Sequence, residues 1–167
     1  MVIEIGTATG GTVLAINQWL SKLKLPYTLY CIDPFVDGGE GHKKQWWELN
    51  QPYVQSGSCI LQQDYADNIT PPEEIHFVLV DANHFPEVVK SNARRFGPRI
   101  VKGGWMLFHD TSGDKVPSCL VELDLPSHGW RWIAEIARPG LNQEGLTAFV
   151  KETDDANVLG DGTSGSG

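Results

Sequence analysis

The sequence predicts an α/β domain in which seven strands form a mostly parallel sheet with helices on both faces. Short apolar runs recur along the chain, several of them nearly unbroken, as in strands covered on both sides. Between them lie segments with helical periodicity or turn-rich text, and this alternation implies parallel strands joined by right-handed crossovers. The last two runs are different. Only about ten residues, including Gly140 and Gly145, separate Ile136 from Leu146. That is too few for a crossover helix, so this pair is expected to be antiparallel.

The expected strands are Val2 to Ile5, Tyr27 to Ile32, Cys59 to Gln62, Ile75 to Val80, Trp105 to Phe108, Trp130 to Ile136 and Leu146 to Val150. The first helix is Gly11 to Leu23, where Val13, Ile16, Leu20 and Leu23 share a face before Pro26 closes it. A second helix, Glu87 to Phe96, follows Pro86 and stops at Gly97-Pro98. Val116 to Leu123 is a third. Residues 36–58 break the rhythm with Asp37-Gly38-Gly39-Glu40-Gly41 and a stretch holding Trp46 and Trp47. They read as a loop plus a short helix, an insertion placed to act as a lid. The two tryptophans read either as an aromatic wall over a pocket or as one buried and one exposed helix position. The Gly- and Ser-rich end, 152–167, reads as a flexible tail after a domain spanning 1–151.

At 167 residues the chain should bury roughly 70% of its unfolded surface, so one core suffices without disulfide or structural metal. It carries 13 basic and 21 acidic residues, net −8, which argues against general adhesion to nucleic acid or anionic membrane. Three cysteines, Cys31, Cys59 and Cys119, form a sparse odd set and read as buried thiols of a reducing compartment. Glu4 sits where a signal peptide would be apolar, and no run approaches 18 apolar residues. A cytoplasmic protein is expected.

Ligands of open parallel sheets bind outside the carboxyl ends of the strands. The residues following the first five runs are therefore informative. They are Gly6-Thr7-Ala8-Thr9-Gly10-Gly11, then Asp33, then Asp64, then Asp81 with His84, then His109-Asp110. Any one could be a turn residue or helix cap; five in register point to a ligand site. Gly6 and Gly10 allow a tight turn and close backbone approach to a ligand at a helix N-terminus. Ala8 breaks the dinucleotide pattern G-x-G-x-x-G, and Gly11-Thr12-Val13 lacks the lysine of a P-loop. Asp33 is placed for the hydroxyls of a ribose, and an acidic crevice suits a ligand with positive character.

The segments E-I-G-T-A-T-G-G, C-I-D-P-F, F-V-L-V-D-A-N-H and G-G-W-M-L-F-H-D together resemble the class I S-adenosylmethionine-dependent methyltransferases. Within them the chain is most similar to small-molecule O-methyltransferases of the macrocin and cephalosporin-hydroxylase-like branch. The resemblance spans roughly residues 1–150. It implies a Rossmann-like class I methyltransferase fold ending in an antiparallel strand pair. It also implies O-methylation of a small hydroxylated molecule, a sugar or a phenol. Gly6, Thr7, Gly10 and Gly11 would lie beside the methionine part of S-adenosylmethionine, with Glu4 and Asp81 among the cofactor contacts. Asp33 would bind the ribose, and Asp64 with Tyr65 would lie near the adenine. A divalent cation such as Mg²⁺ would be held by Asp81 and Asp110, with His109 or Asn83 completing the site. Asp81, His84 or His109 would take the acceptor's proton. His84 has a second reading as a cap for the helix near Pro86, and His109 as a packed structural residue. An alternative is a domain that binds the cofactor without transferring the methyl group. The chain opens directly on its first strand, so cover for the site is expected from 36–58 or another subunit of a homo-oligomer. The expected partner is otherwise a small-molecule acceptor, with no nucleic acid and no membrane.

Overall fold

The computed structural model describes residues 1–112, 115–137 and 145–154. Seven strands form one sheet: β1 (Val2–Ile5), β2 (Leu29–Ile32), β3 (Cys59–Gln62), β4 (Ile75–Val80), β5 (Ile100–His109), β6 (Trp130–Ala137) and β7 (Gly145–Lys151). Their order is β3-β2-β1-β4-β5-β7-β6. β1 to β5 run parallel, whereas β7 inserts between β5 and β6 and is antiparallel to both. The expected terminal pair is therefore present, with β7 on the inner side. Among the described residues there are four α-helices: α1 (Gly11–Leu23), α2 (Gly39–Gln55), α3 (Pro86–Phe96) and α4 (Lys115–Leu123). The expected tail lies outside the described residues from 155 onward, as does Gly140.

The helices divide between the faces. On one, Ile3, Ile5, Val78, Val80, Met106 and Phe108 of the sheet meet Val89, Ala93 and Phe96 of α3 and Val116 and Cys119 of α4. On the other, Leu29, Cys31 and Cys59 meet Val13 of α1 and Trp46 of α2. All three cysteines are buried free thiols, as their apolar settings predict.

Segment 36–58 departs from its expected lid role. It is mostly α2, a 17-residue helix whose Trp46 is fully buried while Trp47 is 39% exposed. This is the split that adjacent helix positions require, because only one can face the sheet. A tryptophan buried so completely contributes about 3–5 kcal/mol, so α2 is part of the core layer. Residues 63–74, between β3 and β4, contain only a short 3₁₀ turn, Ala66–Asn68. The Arg95 side chain of α3 donates to the Ile69 carbonyl from Nε and Nη2 and ties that connection down.

Two strand starts and one helix face differ from expectation; β2 begins at Leu29 rather than Tyr27. β5 begins at Ile100, five residues before the apolar run, because Gly103 at φ +81° and a register shift against β4 carry the strand through polar text. In α1 the expected face of Val13, Ile16, Leu20 and Leu23 holds in part: Val13 is buried and Ile16 packs against the same cluster, but Asn17 is buried there and Leu23 is not. Leu23 is 45% exposed, and Asn17 is buried with Oδ1 accepting from the Tyr27 hydroxyl at 3.1 Å. No helix among the described residues is long and apolar enough to cross a membrane.

Candidate active site

Parallel β1 to β5 bring their carboxyl ends to one edge, and the residues singled out there fall into three groups. The glycine loop comes first. Gly6 has φ +88°, and a β-carbon on it would lie 2.3 Å from the Asp81 carbonyl oxygen and 2.7 Å from Ala82 Cα. The β1 and β4 backbones touch there, and only glycine fits. Gly10, at φ +81°, would place a β-carbon 2.5 Å from Asn50 Nδ2 and 2.6 Å from Trp46 Cδ1. Asn50 Nδ2 in turn donates to the Gly10 carbonyl at 3.1 Å. Thus α2 buttresses the loop from beneath, a role that the Trp46-x-x-x-Asn50 spacing signalled and the sequence reading missed. Gly11 would meet nothing within 4 Å, so its side faces open space.

Asp33 forms the second group. Its Oδ2 accepts from the Ala8 backbone at 2.8 Å and its Oδ1 from the Phe35 backbone at 2.6 Å. Ala8 and Phe35 both have positive φ, 41° and 53°, a conformation that costs residues with a β-carbon on the order of 1 kcal/mol or more. One carboxylate therefore stabilises two strained turns, each through a charge-assisted bond worth about 1.5–3 kcal/mol. Asp33→Ala is expected to lower the melting temperature by at least about 5 °C. It should also weaken S-adenosylmethionine binding at least about tenfold by calorimetry, since the glycine loop loses its anchor. Unchanged melting and affinity would contradict this role.

The third group lies at the ends of β4 and β5. His109 Nδ1 is 2.9 Å from Asp81 Oδ1 and 3.1 Å from Asp110 Oδ1, and His84 Nε2 is 2.8 Å from Asp110 Oδ2. The His109 nitrogen is buried and split between two oxygens, aligned on neither. Asp110 reaches both imidazoles by adopting φ +57°. His84 is not a helix cap: Phe85 holds that position without side-chain capping, and His84 faces Asp110. Burial is the largest influence on Asp81. It raises the carboxyl, His109 pulls it back, Asp110 raises it again and His84 lowers it, with a result of about 6.

Glu4 is 1% exposed, with Oε2 unpartnered. Burial, then the charge on Asp81, pushes its carboxyl well above the ordinary range. The Thr7 hydroxyl is likewise buried without a partner. Buried acceptors of this kind suit a cationic group, and the close-packed glycines suit a ligand lying against backbone. Glu4, Gly6, Thr7, Gly10, Gly11 and Asp33 thus fit S-adenosylmethionine. Asp64 stands apart: its Oδ1 accepts from Tyr65 N and Asn68 Nδ2, both at 2.7 Å, and holds the 3₁₀ turn, with Tyr65 exposed.

The divalent-cation expectation fares differently. Asp81, His109 and Asp110 are brought together, yet among the described residues no three such side chains are disposed to hold a metal ion. The imidazole nitrogen itself occupies the place between the two carboxylates. Asn83 is turned elsewhere, its Oδ1 accepting from Phe85 N at 3.1 Å.

Sheet order 3-2-1-4-5-7-6 with an antiparallel seventh strand, and a glycine loop at the carboxyl edge, define a Rossmann-like methyltransferase fold. The methyltransferase domain family matches residues 3–111, and the chain belongs to that family. It is an S-adenosylmethionine-dependent methyltransferase. No curated protein sequence matches the chain significantly. Among solved structures, a protein of Thermoplasma acidophilum assigned as a methyltransferase superposes with a TM-score of 0.64 at 15% identity, over 91% of this chain and 68% of that one. Magnesium protoporphyrin IX methyltransferase of Synechocystis PCC 6803, with bound S-adenosylmethionine, gives 0.63 at 10% identity, over 91% and 70%. An rRNA methylase of Streptococcus thermophilus gives 0.59 at 14% identity, over 91% and 86%. Acceptors as unlike as a porphyrin and an RNA are named on the same fold, so these likenesses speak to architecture alone.

Proposed function

We propose that this methyltransferase acts on a hydroxyl of a small molecule, with His109 as general base. The observation that carries the reading is that Asp81 and His109, alone of the four clustered side chains, line a cavity of about 520 Å³ at the carboxyl edge. Asp110 and His84 stand behind them. The donor supplies an electrophilic methyl group on a sulfonium. The acceptor oxygen forms the new bond to that carbon as the carbon–sulfur bond breaks and leaves its electron pair on sulfur.

A hydroxyl is a weak nucleophile until its proton is removed. With Nδ1 held toward Asp81 and Asp110, His109 presents Nε2 to take that proton, and the two carboxylates stabilise the imidazolium that results. Asp110 orients His109, and His84 orients Asp110. Glu4 and the glycine loop hold the donor, with Asp33 at its ribose and Asp64 and Tyr65 toward its adenine.

The purified chain, incubated with S-adenosylmethionine and hydroxylated acceptors, should release S-adenosylhomocysteine and a methyl ether. Turnover should persist in chelator, because the carboxylates are compensated by imidazoles; loss in chelator restored by Mg²⁺ would replace this mechanism with a cation-assisted one. No turnover over a broad panel of sugars and phenols would favour a binding role instead. The rate has an expected pH dependence. Asp81 must be ionised to stabilise His109, so kcat should rise as pH passes upward through about 6 and then level off. Stability should move the other way. A carboxyl raised on folding favours the folded state at low pH, and that contribution is lost between the ordinary 3.8 and about 6. A flat rate from pH 5 to 8 would remove the Asp81–His109 pair from the mechanism.

A further inference from the structure

The lining of the 520 Å³ cavity distinguishes between the two acceptor types that a hydroxyl-directed site admits. Along β4, Phe77, Leu79 and Asp81 point to one face, and along β5 Leu107 and His109 do the same, with Leu79 opposite Leu107. β7 and β6 extend the surface, since His109 lies opposite Leu146 and Leu146 opposite Ile136. The period of two thus builds an apolar floor whose titratable groups, Asp81 and His109, stand only at the carboxyl end. From Phe77 to Asp81 the floor runs about 13 Å at roughly 3.3 Å per residue. That leaves room for two fused rings with a substituent.

Resting on the methyltransferase reading of this site, we infer that the acceptor is an apolar monohydroxy compound of fused-ring size rather than a sugar. Its hydroxyl meets Asp81 and His109, and its body lies over Leu79, Leu107, Ile136 and Leu146. A sugar would set several hydroxyls against those four side chains, which return no hydrogen bonds lost from water; besides Asp81 and His109 the lining offers one polar side chain, Thr12 of α1. Each such hydroxyl lowers affinity by roughly tenfold or more. An apolar ring gains by displacing water from the same floor, and a cavity of this volume suits a ligand of that size.

Calorimetric titration of the full chain with 2-naphthol, naphthalene and methyl glucoside tests the inference. The expected result is 2-naphthol binding at least about tenfold more tightly than methyl glucoside and several-fold more tightly than naphthalene. Ile136→Asp alters a side chain that is 62% exposed on the edge strand, so folding should survive. It should weaken 2-naphthol at least about fivefold while S-adenosylmethionine binds as in wild type. Leu107→Gln, at the centre of the floor, should do the same with melting checked in parallel. Equal or tighter binding of the sugar overturns the inference. So does 2-naphthol affinity unmoved by both variants, or a dimer that forms through this face and takes up no 2-naphthol. Binding of 2-naphthol without methyl transfer to it or to any other acceptor upholds the ligand class assigned to the cavity but overturns its role as the acceptor site. Methyl transfer to sugars without 2-naphthol binding does the reverse.

Discussion

His109→Gln is expected to lower kcat by about 10²–10³, with S-adenosylmethionine affinity within about threefold of wild type. Glutamine keeps much of the side chain's size and can still donate toward Asp81 Oδ1 and Asp110 Oδ1, which lie 2.9 and 3.1 Å from Nδ1 in the native protein. It cannot accept a proton at neutral pH. The loss should therefore fall on the chemical step, as a drop in kcat with little change in donor binding. Asp110→Asn should show a smaller loss, because Asp110 acts on the acceptor only through His109. Single-turnover measurement with saturating donor checks both. A His109→Gln rate within threefold of wild type would move the base elsewhere, whereas a loss confined to donor affinity would make His109 a cofactor ligand.

Gly6→Ala should be the most disruptive single methyl addition in the site. The new carbon would meet backbone atoms of Asp81 and Ala82 at 2.3–2.7 Å, and no side chain can yield because the contacts are main chain. The residue must also hold φ +88°. Together the strain and the overpacking cost about 3 kcal/mol, which for a chain of this length lowers the melting temperature by about 6–12 °C. Donor binding should fall as well, since separating β1 from β4 displaces the loop and Asp81 at once. Gly11→Ala is the matched control: its added carbon meets nothing within 4 Å, so melting should stay within about 2 °C. If both variants melt alike, the close approach of β1 and β4 is not what requires glycine.

Three of the five described non-glycine residues with positive φ, Ala8, Phe35 and Asp110, stand at the carboxyl edge. Strain of this kind persists where neighbouring bonds over-determine it. At Ala8 and Phe35 those bonds come from Asp33, and at Asp110 the gain is contact with His84 and His109. Buried carboxyls follow the same logic. Glu4 and Asp81 are each raised by burial, a cost that a cationic donor and a working imidazole can offset.

The fold was readable because its signals are local. Apolar runs of four to seven residues, the 3.6 period of α1 and α3, and a connection too short for a crossover each report on backbone geometry within one stretch of chain. Acids and glycines at successive strand ends also lie in the text, and parallel pairing alone suffices to gather them at one edge. Where glycines hid structure, as at 101–104 of β5, the strand passes through an irregular stretch held between its pairings with β4 at Ile100 and at Trp105, contacts no local pattern encodes. The same holds for Asn17, whose burial rests on Tyr27, and for segment 36–58. Its glycines read as a loop, but Trp46 and Asn50 lock it under Gly10.

What the sequence by itself determined is the order of strands along the chain, the chemistry at their ends and the class of donor that chemistry fits. Only the tertiary structure decided which polar groups face one another. Asp110 joins His84 to His109, and the His109 imidazole faces the carboxylates of both Asp81 and Asp110. It also decided that the same strands which deliver Asp81 and His109 lay an apolar floor before them. The reason is physical: residue type and spacing set what a side chain can do, but its partner is chosen by distances across strands far apart in sequence.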